Sequence, residues 1–64
     1  MYMLKDTIEV DFANQKKVAQ FLEISEGTLC RILKRKQACS KILAMCITFM
    51  NGSKSINKYF VKTK

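Results

Sequence analysis

The chain has 64 residues, enough for one domain, and at about this length folding buries only about 60% of the unfolded surface. Its 48% hydrophobic content excludes compositional disorder, and the absence of proline with only two glycines favours helices joined by short turns over a β-rich fold. The formal charge of +7 is polarised: residues 1–26 carry three lysines and five acids, whereas residues 27–64 carry nine basic residues and no acid.

A basic half of this kind is typical of a protein that binds a polyanion such as nucleic acid, because each neutralised phosphate releases condensed counterions. Two alternatives stay open from charge alone: a solvated, solubilising surface and an acidic protein partner.

The cysteines (Cys30, Cys39 and Cys46) have no CxxC spacing, and the chain has no histidine. We therefore expect reduced cysteines, no metal site and no other cofactor. No signal-peptide pattern is visible, and the longest near-apolar run, ILAMCITFM, is well short of the about 20 residues that a membrane helix needs. These features predict a soluble, cytoplasmic protein.

The first stretch, Leu4–Ala13, is ambiguous. Leu4, Ile8 and Phe12 recur every four residues, as on a helix, whereas Ile8, Val10 and Phe12 alternate, as in a strand. We favour a helix, because no second strand with hairpin chemistry is evident.

The next stretch, Asn14–Leu22, predicts a helix. Asn14 is a good N-cap residue, and an apolar stripe follows that contains Val18, Phe21 and Leu22. A three-residue break, residues 23–25, ends this helix.

A second helix is predicted over residues 25–36, with Ser25 as its N-cap, accepting from the backbone N–H of Thr28. Leu29, Ile32 and Leu33 fall at i, i+3 and i+4 and predict its core face. The opposite face carries Glu26, Gly27, Cys30, Arg31 and Lys34.

Cys39–Asn51 predicts a third helix, capped by Ser40 and terminated by Gly52. Its apolar stripe consists of Ile42, Leu43, Cys46, Ile47 and Met50. Ser55–Lys62 allows a short last helix capped by Ser55, and a single hairpin across Gly52 is the competing interpretation.

Residues 14–36, NQKKVAQFLEISEGTLCRILKRK, resemble the helix-turn-helix of the phage repressor and Cro family (lambda repressor-like, XRE type). The positions that agree with the family's usual run are Gln15, Val18, Ala19, Leu22, Ile24, Ser25, Thr28, Leu29 and Arg31. The resemblance implies an all-α fold, a small four- or five-helix bundle forming one domain over residues 1–64. The family usually has glycine where this chain has Glu23, at a position that tends to need a positive φ.

The resemblance implies a sequence-specific DNA-binding regulator of transcription, of phage or mobile-element origin, that inserts helix 25–36 into the major groove. The implied DNA-binding residues are Gln15, Lys16, Ser25, Glu26, Gly27, Thr28, Cys30, Arg31, Lys34, Arg35 and Lys36. Gln15 would bond a phosphate and Arg31 a guanine, while residues 34–36 would clamp the flanking phosphates. Because Glu26 repels phosphates and Gly27 reads no base, most of the affinity should come from phosphate contacts and depend strongly on salt.

The family reads inverted repeats as a dimer, with half-sites about 34 Å apart. The candidate dimer surface is formed by Phe49, Met50, Ile56, Tyr59 and Phe60. The alternative is that these residues close the core of the monomer.

A protein-binding module is the alternative function: a small phage-type inhibitor or antirepressor that binds a repressor or a nuclease. The small notch at Gly27 beside the acid Glu26 suits protein docking as well as base reading. No enzymatic activity is expected, because the chain has no histidine, no paired carboxylates and no phosphate-binding loop.

Overall fold

The computed structural model describes residues 1–63. In this part of the chain the elements are β1 (Tyr2–Leu4), α1 (Gln15–Leu22), α2 (Glu26–Leu33), α3 (Lys41–Met50), α4 (Ile56–Tyr59) and β2 (Phe60–Lys62). The two strands pair antiparallel in a two-stranded sheet, so the fold is mixed α/β. The prediction of an all-α bundle is therefore wrong.

The sheet joins the beginning of the chain to its end. Leu4 lies opposite Phe60 in the register, and these side chains are only 2% and 1% exposed, so the pairing closes the core. On its other edge β1 meets Cys39: the Tyr2 N–H donates to the Cys39 carbonyl at 2.7 Å, and the Cys39 N–H donates to the Tyr2 carbonyl at 2.8 Å. β1 thus has hydrogen-bonding partners on both sides.

The helix predicted over residues 4–13 does not form. After Leu4 the chain turns at Asp6 and Thr7 and then continues without helix or strand to Phe12. Val10 is buried, and Ile8 and Phe12 pack against the core. The helix does not form because Leu4 pairs in the sheet with Phe60 and the carbonyls of Lys5 and Ile8 accept hydrogen bonds from the Arg35 side chain, two constraints that come from later parts of the chain. The hairpin across Gly52 is absent too, since residues 56–59 are helical.

The caps predicted for α1 and α2 are confirmed. The Asn14 side chain accepts a hydrogen bond from the Lys17 N–H at 3.1 Å, and the Ser25 hydroxyl accepts one from the Thr28 N–H at 3.1 Å. Glu23 ends α1 in the left-handed conformation, with φ 59° and ψ 40°. A left-handed conformation is expected at this position, because the helix-turn-helix family that residues 14–36 resemble usually has glycine there.

Replacing Glu23 with glycine should stabilise the fold by about 0.5–1 kcal/mol, because glycine adopts a positive φ without steric cost and a Cβ does not. Urea denaturation would measure the change, and Glu23→Ala is the control, since it removes the carboxylate but keeps the strained backbone. Equal stabilities of the glycine and alanine variants would contradict the strain argument.

The second helix is shorter than predicted. α2 ends at Leu33, Lys34 is its C-cap, and Arg35 has a positive φ of 62°. The Lys36 N–H donates back to the Arg31 carbonyl at 2.9 Å, which closes the last turn. Arg35 and Lys36 therefore follow the helix instead of extending it.

The predicted limits of α3 are confirmed by its caps. The Ser40 hydroxyl accepts from the Leu43 N–H at 3.2 Å, and Gly52, at φ 82°, follows the helix and donates to the Phe49 carbonyl.

The buried face of α3 differs from the predicted stripe. Its buried residues are Ala44, Ile47 and Thr48, whereas Ile42 is 74% exposed and Met50 is also exposed. The Thr48 hydroxyl donates to the Ala44 carbonyl at 2.8 Å, which satisfies this buried polar group. Because α3 is apolar almost all round, its periodicity did not determine which face would be covered.

The predicted last helix is reduced to one turn. α4 covers Ile56–Tyr59, and the chain then continues as β2. The Ser55 side chain makes no capping hydrogen bond, so the predicted cap is wrong.

The core contains buried side chains from every helix and strand except α4, whose residues only pack against it. Its buried apolar members are Leu4, Val10, Ala19, Leu29, Ile32, Leu33, Cys39, Ala44, Ile47 and Phe60. Burial raises the pKa of the Cys39 thiol to about 11, so that side chain is neutral at pH 7.

Among the described residues, no helix has the length and apolar character needed to cross a membrane.

Candidate nucleic-acid interface

One side of α2 is anchored in the core and the other is open to solvent. Leu29, Ile32 and Leu33 are buried, as their spacing predicted. Glu26, Gly27, Arg31 and Lys34 are exposed on the outward side. α2 therefore presents a short polar surface on a fixed support.

Arg31 is held in place by its neighbours on this surface. Its Nε donates to the Gln37 side-chain oxygen at 3.0 Å, and its Nη2 donates to the Thr28 hydroxyl at 3.3 Å. The Thr28 hydroxyl also accepts from the Ser25 hydroxyl at 2.8 Å. The N-cap of α2 and the orientation of the Arg31 guanidinium are thus linked through one chain of hydrogen bonds.

Gly27 lets the Arg31 guanidinium lie close to the helix backbone. A Cβ at Gly27 would lie 3.6 Å from Arg31 Nη1, an ordinary contact, so alanine would fit but a larger side chain would displace the guanidinium. Gly27 thereby contributes to this surface by leaving space for the Arg31 guanidinium.

A cleft of about 370 Å³ runs between α2, the start of α1 and the segment before α1. Four predicted DNA-binding residues line it: Gln15, Cys30, Lys34 and Arg35. The carboxylate-bearing residues Glu9 and Asp11 line the same cleft. Cys30 is half-buried there, so it belongs to the cleft and not to the fully exposed outward face.

Arg35 has a structural role that the sequence did not predict. Its Nε donates to the Lys5 carbonyl at 2.9 Å, and its Nη2 donates to the carbonyls of Asp6 and Ile8. The Asp6 carboxylate lies 3.8 Å from the same guanidinium. Because the group is committed to the segment 5–8, the phosphate contact predicted for Arg35 is corrected to a tie between this segment and the end of α2.

The remaining predicted DNA-binding residues lie on the surface. Lys16 is exposed in the first turn of α1, and Lys36 is exposed just after α2. Ser25 and Thr28 lie at the start of α2, where they form the cap. The structure thus brings most of the predicted residues to α2 and its immediate surroundings.

The predicted dimer surface is only partly available. Phe60 is 1% exposed and belongs to the core, and Ile56 and Tyr59 pack against it. These three residues close the monomer, which was the alternative interpretation. Phe49 and Met50 do remain exposed.

Three residues near α2 were not identified from the sequence: Glu9, Asp11 and Gln37. The two acids had no recognisable signal, because only the path of the irregular N-terminal segment brings them beside α2. Gln37 follows the helix closely, and a polar residue there is compatible with many roles. Across residues 1–63, no group of three histidine, cysteine, aspartate or glutamate side chains is placed to hold a metal ion.

Comparisons of this chain with known proteins give no significant match. No protein-family model matches the chain, and neither the curated proteins nor the solved structures contain a significant match.

Proposed function

We propose that this protein is a sequence-specific DNA-binding regulator of transcription, of the phage repressor and Cro type, which inserts α2 into the major groove. The observation that carries the proposal is the outward face of α2, where Arg31 and Lys34 are exposed while the opposite face is buried. A helix anchored in this way fits the major groove, which is about 12 Å wide.

Arg31 is the proposed base-reading residue. A guanidinium has five N–H donors, and the bonds to Gln37 and Thr28 engage only Nε and one hydrogen of Nη2. The donors that remain, on Nη1 and Nη2, can bind the O6 and N7 atoms of a guanine in bidentate fashion. Because the side chain is already oriented, less conformational entropy is lost on binding.

The phosphate contacts are proposed for exposed lysines around this helix: Lys16, Lys34 and Lys36. None of the three is engaged in an ion pair within residues 1–63. With about three phosphates neutralised, the affinity should fall by roughly fortyfold between 50 and 200 mM salt.

We also propose that the protein reads a two-fold site as a homodimer. The exposed edge of β2 supports this part of the proposal, since β2 pairs only with β1 among the described residues, and Val61 on it is exposed. A free strand edge can pair with the same strand of a second copy.

Arg31→Ala should weaken binding to a selected DNA site by about tenfold, because a bidentate guanine contact is worth about 1–3 kcal/mol. The site would come from selection in a random duplex pool, and affinities would be measured by fluorescence anisotropy at about 50 mM salt. Lys34→Ala is the matched control: it should weaken selected and random duplexes equally, whereas Arg31→Ala should chiefly affect the selected site.

Failure to enrich any duplex would contradict DNA binding, and an unchanged affinity in Arg31→Ala would contradict the assigned reading residue. A palindromic consensus is the result expected for a homodimer, and a single unrepeated half-site would exclude one.

A second candidate function is a small inhibitor or antirepressor that binds another protein. The specific observation in its favour is the position of Glu9 and Asp11 in the cleft beside α2, together with Glu26 on the first turn of that helix. Acids so placed repel phosphates and attract a basic protein segment. Reversing the charge of Glu9 and Asp11 would separate the two functions, because DNA and a basic protein partner would respond with opposite changes in affinity.

A further inference from the structure

A second groove, which shares no lining residue with the cleft beside α2, follows one face of α3. It has a volume of about 160 Å³, and its apolar lining comes from Met45, Phe49 and Ile56. A closed cavity of about 150 Å³ holds a benzene molecule, so this groove has room for one aromatic or leucine side chain. None of these three residues was assigned to the proposed DNA surface.

The groove continues into an exposed apolar stripe. Ile42, Met45 and Phe49 lie at i, i+3 and i+7, on the same side of α3, and they are 74%, 38% and 55% exposed. Contiguous exposed apolar side chains of this kind mark interaction sites more often than single ones do. The stripe matches the spacing of anchors along a bound helix.

The charges around the groove indicate which partner fits. Lys41, the first residue of α3, and Lys54, beyond its last residue, both line the groove, and no acid does. The two lysines therefore come from opposite ends of α3 and flank the apolar part with positive charge. Complementary charge on a partner means acids on both sides of an apolar anchor.

A second copy of this chain fits the groove poorly. In a two-fold contact the same patch meets itself, so the lysines of one copy would face those of the other. The acids of this chain all lie within residues 1–26, away from the groove lining.

We propose that the α3 groove is the docking site for an acidic amphipathic helix of a partner protein. An apolar side chain of that helix fills the space between Met45, Phe49 and Ile56, and its flanking carboxylates pair with Lys41 and Lys54. This site is independent of DNA binding by α2, so either can exist without the other.

Two synthetic peptides test this proposal, each of about 18 residues, or five helical turns. They share leucine and phenylalanine at i, i+3 and i+7 and differ only in their flanking residues, glutamate in one and lysine in the other. The full chain is titrated against each labelled peptide by fluorescence anisotropy. We expect the acidic peptide to bind at least tenfold more tightly.

Matched variants locate the site. Phe49→Ser should weaken the acidic peptide at least tenfold, whereas Phe21→Ser, at a residue 72% exposed on α1, should change binding less than twofold. Changing Lys41 and Lys54 to glutamate should reverse the preference in favour of the lysine peptide, while Lys62→Glu on β2 should not. Circular dichroism and thermal unfolding would verify that every variant is folded.

Three results would overturn the proposal. One is equal binding of both peptides, which would indicate apolar adhesion without charge selection. Another is the absence of binding by either peptide. The third is a dimer in sedimentation that Phe49→Ser dissociates, which would assign the groove to a second copy of the chain.

Discussion

Replacing Arg35 with alanine should lower the free energy of unfolding by about 2–4 kcal/mol, a large part of the stability of a domain this small. The guanidinium donates to the carbonyls of Lys5, Asp6 and Ile8 and thereby fixes the segment between β1 and α1 on the end of α2. Without it, these carbonyls have to find water, and the apolar side chain of Ile8 loses its support against the core.

Two substitutions at position 35 distinguish the stability that comes from the hydrogen bonds from the cost of the backbone strain. Because Arg35 has a φ of 62°, Arg35→Gly should be about 1 kcal/mol more stable than Arg35→Ala, although both lose the guanidinium. Lys36→Ala removes one exposed positive charge nearby and should change stability by less than about 0.5 kcal/mol.

Urea denaturation would give these stabilities, and hydrogen exchange of the Ile8 amide, which donates to the Lys5 carbonyl, would report on the segment itself. Faster exchange at Ile8 in Arg35→Ala is the expected result. Stability and exchange like those of Lys36→Ala would show that Arg35 is not the tie.

Changing Glu9 and Asp11 to lysine should tighten binding to duplex DNA by about a hundredfold at about 50 mM salt. Both acids line the cleft that contains Lys34 and Gln15, where we propose that flanking phosphates lie. Each substitution raises the charge near several phosphates by two units. If each unit contributes a fraction of a kcal/mol to the binding free energy, each substitution raises the affinity by about tenfold. The two exposed acids make no ion pair with each other or with α2 within residues 1–63, so the fold should tolerate their reversal.

Matched charge changes serve as controls for this result. Glu9→Gln with Asp11→Asn adds two units of charge and should give about tenfold tighter binding. Ser55→Lys with Asn57→Lys adds the same net charge at exposed sites just before α4 and on it, outside the proposed DNA and dimer surfaces, and should change the affinity by twofold or less.

The sign of the effect separates the two candidate functions. A basic protein partner would bind the charge-reversed variant more weakly, whereas DNA would bind it more tightly. If DNA binding does not change in either direction, the cleft does not face the phosphates.

Features that depend on a few neighbouring residues were readable from the sequence. Asn14, Ser25 and Ser40 each cap the helix predicted for them, because a short side-chain oxygen at that position satisfies a free N–H of the first turn. The buried face of α2 and the left-handed turn at Glu23 followed from local spacing and from the resemblance to a known helix-turn-helix.

Features that depend on distant parts of the chain were not predicted. β1 was missed because its partner, β2, is near the other end of the chain, and no sequence pattern within either segment identifies the other as its pairing partner. The buried face of α3 was mispredicted for a different reason: Ile42 and Met50 belong to the predicted apolar stripe but are exposed, because a helix with apolar residues on most sides has several possible buried faces.

By itself the sequence determined the starts of α1, α2 and α3, the α1–turn–α2 unit and the surplus of positive charge after residue 26, since these depend on residue type and short spacing. Only the tertiary structure decided that Arg35 binds the segment 5–8, that Phe60 fills the core, and that Glu9 and Asp11 lie beside α2. The physical reason is that a side chain's role depends on which groups the folded chain places within hydrogen-bonding or packing distance, and those groups come here from both ends of the sequence.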